Sequence, residues 1–259
     1  MFLFDRAGRA LAGYLTHPRR QPLGVSTSLP HDLIAALQPG DVLLIEGDTR
    51  IAVAIKYLTQ SSWSHAALCV ARPVGPASAA SAANILLEAD VNSGVRVVPL
   101  STYASLHTRI CRAVGLSAEE IRRVIDYATA RVGNQYDMKH IWDLARYLFP
   151  TPPVPSRWRR RLLALGSGDP TRAICSTLIA DAFHSIGYPI LPEVILAGGG
   201  DAAAQHSYAE MKHIQEHGLY MPRDFDVSPY FQIIKPTLVQ GFDPHHRETM
   251  VGTPTSREA

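Results

Sequence analysis

A chain of 259 residues, 46% hydrophobic and 19% charged, has enough apolar material for one substantial core and too little charge for a disordered segment of that length. Its 25 Lys and Arg against 23 Asp and Glu give a net charge of +2, a field too weak to recruit a nucleic-acid backbone, so no nucleic-acid partner is expected. The three cysteines are widely spaced, with no CxxC pair; this argues against a disulfide framework and a structural zinc site, and suits a reducing compartment.

The sequence Met1-Phe2-Leu3-Phe4-Asp5-Arg6 places an acid after four residues and offers no apolar stretch of signal-peptide length, which predicts a cytoplasmic protein. No window approaches the ~20 apolar residues of a spanning helix, so any membrane association is expected to be peripheral. Residues 1–30 read as an N-terminal arm, 31–240 as the folded domain and 241–259 as a loose tail. Pro39-Gly40-Asp41 is a strong turn, and Val42-Leu43-Leu44-Ile45 after it is a buried-strand run. Ile51, Ala54, Ile55 and Leu58 have helical spacing, which predicts a short helix over 51–60.

Three strands are expected next, at 65–70, 85–89 and 94–99, with a hairpin-type loop at 72–83 and a further strand at 109–114. Ser117 and Glu120 form a capping box, Ile121, Val124, Ile125, Ala128 and Val132 one stripe, and Gly133 a stop, so a helix begins after Ser117. Residues 138–172 read as an insertion with a helix at 138–149. Cys175 opens a helix carrying Leu178, Ile179, Ala182, Phe183 and Ile186 on one side, closed by Gly187 and Pro189. Gly198-Gly199-Gly200 is a break, 203–217 has helical character, and 230–234 suits a late strand.

Two of these elements carry chemistry. Alternation along 65–70 puts His65, Ala67 and Cys69 on one face, with His65 at the start of the strand, where a side chain reaches a cleft. Glu88, between Leu87 and Ala89, is a carboxylate in an apolar strand and needs a partner. If the two strands pair, it can accept the second imidazole N–H and orient the ring; the alternative is an ion pair with an arginine. Cys175 at a helix start has free backbone N–H groups and a dipole that favour the thiolate and can also receive an oxyanion. Cys69 and Cys111, inside strand-like runs, read as packing residues.

In this order, Pro39-Gly40-Asp41, Trp63-Ser64-His65-Ala66-Ala67-Leu68, Leu86-Leu87-Glu88-Ala89, Gly133-Asn134-Gln135-Tyr136-Asp137 and Ile174-Cys175-Ser176-Thr177-Leu178-Ile179 resemble the permuted papain-like amidases of the YiiX/YaeF type, relatives of the NlpC-type cysteine peptidases. The resemblance runs over about 38–190 and extends weakly to Asp226-Val227-Ser228-Pro229. It implies an α+β, circularly permuted papain-like (NlpC-related) fold, an antiparallel sheet packed against helices. The histidine precedes the cysteine, as such a permutation requires. It also implies Cys175 as nucleophile, His65 as general base and then acid, Glu88 as orienter, and Tyr136 and Ser176 at the substrate cleft or oxyanion site. Neither a metal nor an organic cofactor is implied. Two departures, Thr177 where an acidic residue is common and the long 138–172 insertion, bear on substrate more than on chemistry.

The expected function is therefore that of a cysteine amidase or peptidase forming a thioester on a small peptide, isopeptide or N-acyl amide. Two alternatives stand beside it: a lipid acyltransferase or phospholipase of the lecithin:retinol acyltransferase type, whose Asn-Cys-Glu motif is replaced here by Ile174-Cys175-Ser176, and a non-catalytic binding module retaining the fold. In the insertion, Trp158, Arg159, Arg160 and Arg161 suit an anionic membrane surface or, equally, the solvated rim of a packed amphipathic helix pair. His213, His217, His245 and His246 lack the carboxylate or cysteine companions of a metal site.

Overall fold

The run Val42-Leu43-Leu44-Ile45 forms the interior strand β1 (Val42–Glu46) of a six-stranded antiparallel sheet, with all four residues fully buried. A continuous apolar strand requires cover on both faces, and here each face has its own core. The computed structural model describes residues 28–72, 84–90, 93–103, 105–134, 174–192 and 220–239. Around β1 lie β2 (His65–Cys69), β3 (Asn84–Asp90), β4 (Gly94–Pro99), β5 (His107–Ala113) and β6 (Phe231–Ile234), in the order β4-β3-β2-β1-β5-β6. Every strand read from the sequence is present, within two residues at each end.

On one face Leu44, Ala66, Leu68, Leu87 and Ala89 pack against Val124 and Ala128 of one helix and Leu178, Ile179, Ala182 and Phe183 of another. On the other, Leu43, Ile45, Ala67, Cys69 and Leu86 pack against Leu33, Ala36 and Leu37. The period-two alternation of β2 and β3 thus decides which side chains meet the helices.

The helices are α1 (Pro30–Ala36), α2 (Arg50–Thr59), α3 (Ala118–Thr129), α4 (Ile174–His184), α5 (Pro222–Val227) and α6 (Pro236–Val239). The expected capping box at the start of α3 is complete: Ser117 Oγ accepts from the Glu120 N–H, and the Glu120 carboxylate accepts from the Ser117 N–H. Gly133, at φ +89°, sits where the chain leaves the turn after α3. Sequence reading did not single out α1, α5 or α6. The first starts with Pro30 after Leu29, which makes no side-chain cap, so the Ser/Thr/Asp/Asn signal is missing. The helices expected at 138–149 and 203–217, and residues 73–83 of the hairpin-type loop, lie outside the described residues.

The turn before β1 does structural work. Gly40 takes φ +87° and donates its N–H to Cys69 O at 2.8 Å, tying the turn to the end of β2. Asp41 is buried; Arg112 of β5 grips it with Nε on Oδ1 and Nη2 on Oδ2, both at 2.7 Å, and the Gln38 N–H donates to Oδ2. Burial pushes the Asp41 carboxyl up, and the Arg112 fork opposes that. Among the described residues no helix is long and apolar enough to cross a membrane.

Candidate active site

Strands β2 and β3 pair only at one end. Leu68 lies opposite Leu87 and Cys69 opposite Leu86, whereas β3 stays paired with β4 from Asn84 to Asp90. Toward His65 the β2/β3 ladder therefore stops, and the start of α4 stands against that open end. The β1 register makes residues 65, 67 and 69 point their peptide groups toward β1, so Ala66 and Leu68 point theirs toward β3. At Ala66 no β3 partner is in register, and its backbone hydrogen-bonds to the Cys175 sulfur instead. A ladder N–H left without a strand is thus satisfied by a side chain from a helix.

Cys175 is the second residue of α4 and is 6% exposed. Burial pushes its thiol up, but the charge of the His65 ring, the hydrogen bond between the two, and the backbone hydrogen bonds from Ala66 and Ser176 bring it below its ordinary value. For His65, burial works against a charged ring. The sulfur of Cys175 and the carboxylate of Glu88 outweigh it and push the imidazole up to about 10. The sulfur and the imidazole therefore favour a thiolate–imidazolium pair.

His65 Nε2 donates to Glu88 Oε2 at 2.8 Å, which leaves Nδ1 as the nitrogen facing the sulfur. Glu88 is 1% exposed, and burial alone would neutralise it. His65, Tyr103 and Arg96 hold its carboxyl down at about 2. Arg96 Nε and Nη2 both reach Oε1 at 2.9 Å, while the Tyr103 hydroxyl donates to Oε2, the same oxygen His65 uses. The two sequence readings of Glu88, imidazole partner and arginine partner, hold together.

Sequence reasoning placed His65, Glu88 and Cys175, and the structure brings the three together. It missed Arg96 and Tyr103. Arg96 is the cross-strand partner of Glu88 in the β3/β4 hairpin, so counting back from the turn would have found it. Tyr103 follows a short 3-10 turn (Leu100–Thr102), with its ring tilted against His65 at 5.7 Å, and no periodic signal marks it. Ser176 is fully buried, and its hydroxyl donates to Tyr220 O at 2.8 Å, so what it offers the sulfur is backbone. Tyr136 lies outside the described residues, as do Trp158, Arg159, Arg160, Arg161 and the paired histidines 213, 217, 245 and 246.

The approach to His65 is pinned from the C-terminal part of the chain. Trp63 Nε1 donates to Asp226 Oδ2 at 2.9 Å, Arg109 Nη1 donates to Asp226 Oδ1 at 2.5 Å, and the Arg109 guanidinium lies 4.9 Å from the Trp63 ring centre. Between these pins, Ser64 Oγ accepts the Gly47 N–H at 2.9 Å. The other two cysteines are fully buried free thiols; burial pushes Cys69 up to about 12 and Cys111 well above the ordinary thiol range, so both stay protonated near neutral pH.

Residues 36–148 match the family model described as permuted papain-like amidase enzyme, YaeF/YiiX, C92 family. The matched segment holds His65, Glu88, Arg96 and Tyr103 and stops before Cys175. No curated protein matches the chain. Among solved structures, the crystal structure of the metalloprotein YiiX from Escherichia coli O157:H7 is 16% identical, covers 77% of this chain and 97% of its own, and superposes with a TM-score of 0.45.

Proposed function

We propose that this chain, which resembles the permuted papain-like amidases over 36–148, is a cysteine-dependent amidase with Cys175 as nucleophile, His65 as acid and base, and Glu88 as orienter. The observation that carries this reading is the continuous hydrogen-bonded chain from the Cys175 sulfur through the His65 ring to the buried Glu88 carboxylate. The Cys175 thiolate adds to an amide carbonyl, placing the negative charge on the former carbonyl oxygen. As the C–N bond breaks, the proton on His65 Nδ1 passes to the leaving amine, and a thioester remains on Cys175. Water then gives a proton to the neutral imidazole and attacks the thioester, releasing the acid and restoring the ion pair.

Glu88 stays an anion throughout: it accepts the Nε2–H, fixing which nitrogen faces the sulfur, and stabilises the ring when charged. The family description names an amidase, which supports an amide substrate; small peptides, isopeptides and N-acyl amides are the classes to screen. The test is iodoacetamide alkylation across pH, with the labelled cysteine located by peptide mapping. Cys175 should react at pH 6 at a rate that an ordinary thiol, with a pKa of about 8.5, reaches only above pH 8. His65→Ala should abolish that advantage, and intact-mass analysis after amide turnover should find an acyl adduct lost in Cys175→Ser. A Cys175 that alkylates like an ordinary thiol, or a His65→Ala rate equal to the parent's, refutes the proposal.

A further inference from the structure

Glu88 has two oxygens and three partner side chains, and each oxygen keeps its own partners. Arg96 donates Nε to Oε1 and brings Nη2 to 2.9 Å from the same oxygen, while Oε2 takes His65 Nε2 and the Tyr103 hydroxyl. A guanidinium is a planar fork that fits both oxygens of a carboxylate at once, and that bidentate arrangement is the stronger one. Here the fork is confined to one oxygen. What stands on the other side of the carboxylate is Tyr103, whose ring lies against the His65 ring and whose hydroxyl holds Oε2. Burial and the Glu88 charge raise the Tyr103 hydroxyl far above its ordinary value, so it remains a donor.

We infer that Tyr103 is a positioning residue: by anchoring Oε2 it keeps the carboxylate from rotating into the Arg96 fork and reserves that oxygen for His65. This rests on the amidase reading above, because it concerns the orientation of the same imidazole. The charged and titratable groups around Glu88 are His65 from β2, Arg96 from β4, Asp90 from its own strand through Arg96, Tyr103 after the 3-10 turn, and Cys175 from α4. Tyr103→Phe removes only the hydroxyl. The carboxylate then turns toward Arg96, the His65 N–H loses its acceptor, and the imidazolium is less favoured.

The sign follows from the coupled pair. A weaker imidazolium raises the pKa of Cys175 and lowers that of His65, so the pH window of the ion pair narrows from both sides. The experiment is the pH profile of iodoacetamide alkylation at Cys175, with thermal unfolding as the fold control. Tyr103→Phe should move the acid limb to higher pH and cut the rate near pH 6 about ten- to a hundredfold, the worth of one hydrogen bond to a charged group. Arg96→Lys keeps the positive charge but has no fork. In the Tyr103→Phe background it should return the profile toward the parent's, and alone it should move the limb less than Tyr103→Phe does.

A Tyr103→Phe profile equal to the parent's overturns the inference, as does an Arg96→Lys shift as large as that of Tyr103→Phe or a double variant with no recovery. If Tyr103→Phe does not fold, Arg96→Lys alone decides: a loss of less than about tenfold near pH 6 supports the inference and a larger one overturns it. A parent Cys175 with ordinary reactivity sinks the amidase reading and this inference with it. An activated parent with an unmoved Tyr103→Phe profile sinks the inference alone.

Discussion

Replacing Glu88 by Gln keeps the shape of the side chain and removes its charge, which isolates what the buried carboxylate contributes. Its carboxyl falls from an ordinary value of 4.5 to about 2 in the fold, and each factor of ten in proton affinity is about 1.4 kcal/mol. Glu88 therefore adds roughly 3 kcal/mol to stability at neutral pH, within the few kcal/mol expected for a buried, paired charge. Because the folded value is the lower one, this contribution is full above about pH 5 and lost as the pH falls toward 2. At pH 3 about 2 kcal/mol of it has gone. Arg96 is 43% exposed and rehydrates when its partner disappears, so the loss falls mainly on the buried ring and carboxylate site. Urea unfolding of parent and variant at pH 7 and pH 3 reads the difference. Glu88→Gln should cost about 3 kcal/mol at pH 7, lowering Tm by about 6–12 °C, and only about 1 kcal/mol at pH 3. Equal destabilisation at the two pH values would show that the fold does not hold this carboxyl as an anion, and the account of the site would fail with it.

Two further substitutions probe the turn that sets the register of the sheet. Gly40→Ala places a side chain at φ +87° with its Cβ 2.8 Å from Ile121 Cγ2, so a loss of about 2–3 kcal/mol in urea unfolding is expected; a neutral result would remove the turn from the account of β1. Asp41→Asn keeps one acceptor oxygen but sets an amide N–H against an Arg112 donor in a buried place; because burial holds the Asp41 carboxyl up, the charge itself adds nothing net, and the cost is that of the lost hydrogen bond, about 1–3 kcal/mol, with Cys175 alkylation per folded molecule unchanged. A loss of Cys175 reactivity at full stability would mean that this motif reaches the site by a route absent from the structure.

How much of this was legible in the sequence depended on the range of the signal. Strand β1 and the start of α3 were readable because the information is local: four apolar residues after a turn, and a Ser and a Glu three apart that satisfy each other's backbone. Glu88 stood out because a carboxylate between Leu87 and Ala89, both of them core residues, needs a partner. Tyr103 was invisible because it comes after the strand through a 3-10 turn, where neither a period of two nor one of 3.6 applies. The bond from Trp63 to Asp226 spans 163 positions, and nothing within either segment announces the other. Long-range polar pins of this kind are set by the finished fold, not by local propensity.

The placement of the sulfur shows how the sheet and the chemistry depend on each other. A helix can bring a side chain to a strand's peptide N–H only where that N–H is not already spent on a neighbouring strand. In β2 the condition is met at Ala66, because β3 pairs no further than Leu68 and stays with β4 beyond it. Across the same opening, Glu88 on β3 and His65 on β2 are joined through their side chains. A residue with a small side chain at position 66 lets α4 come close enough for Cys175 to use that N–H, and the fully buried Ala180 and Ala182 keep α4 close to the same core. The opening in the sheet therefore admits the Cys175 sulfur and frees its backbone donor; closing the ladder by two residues would remove both at once.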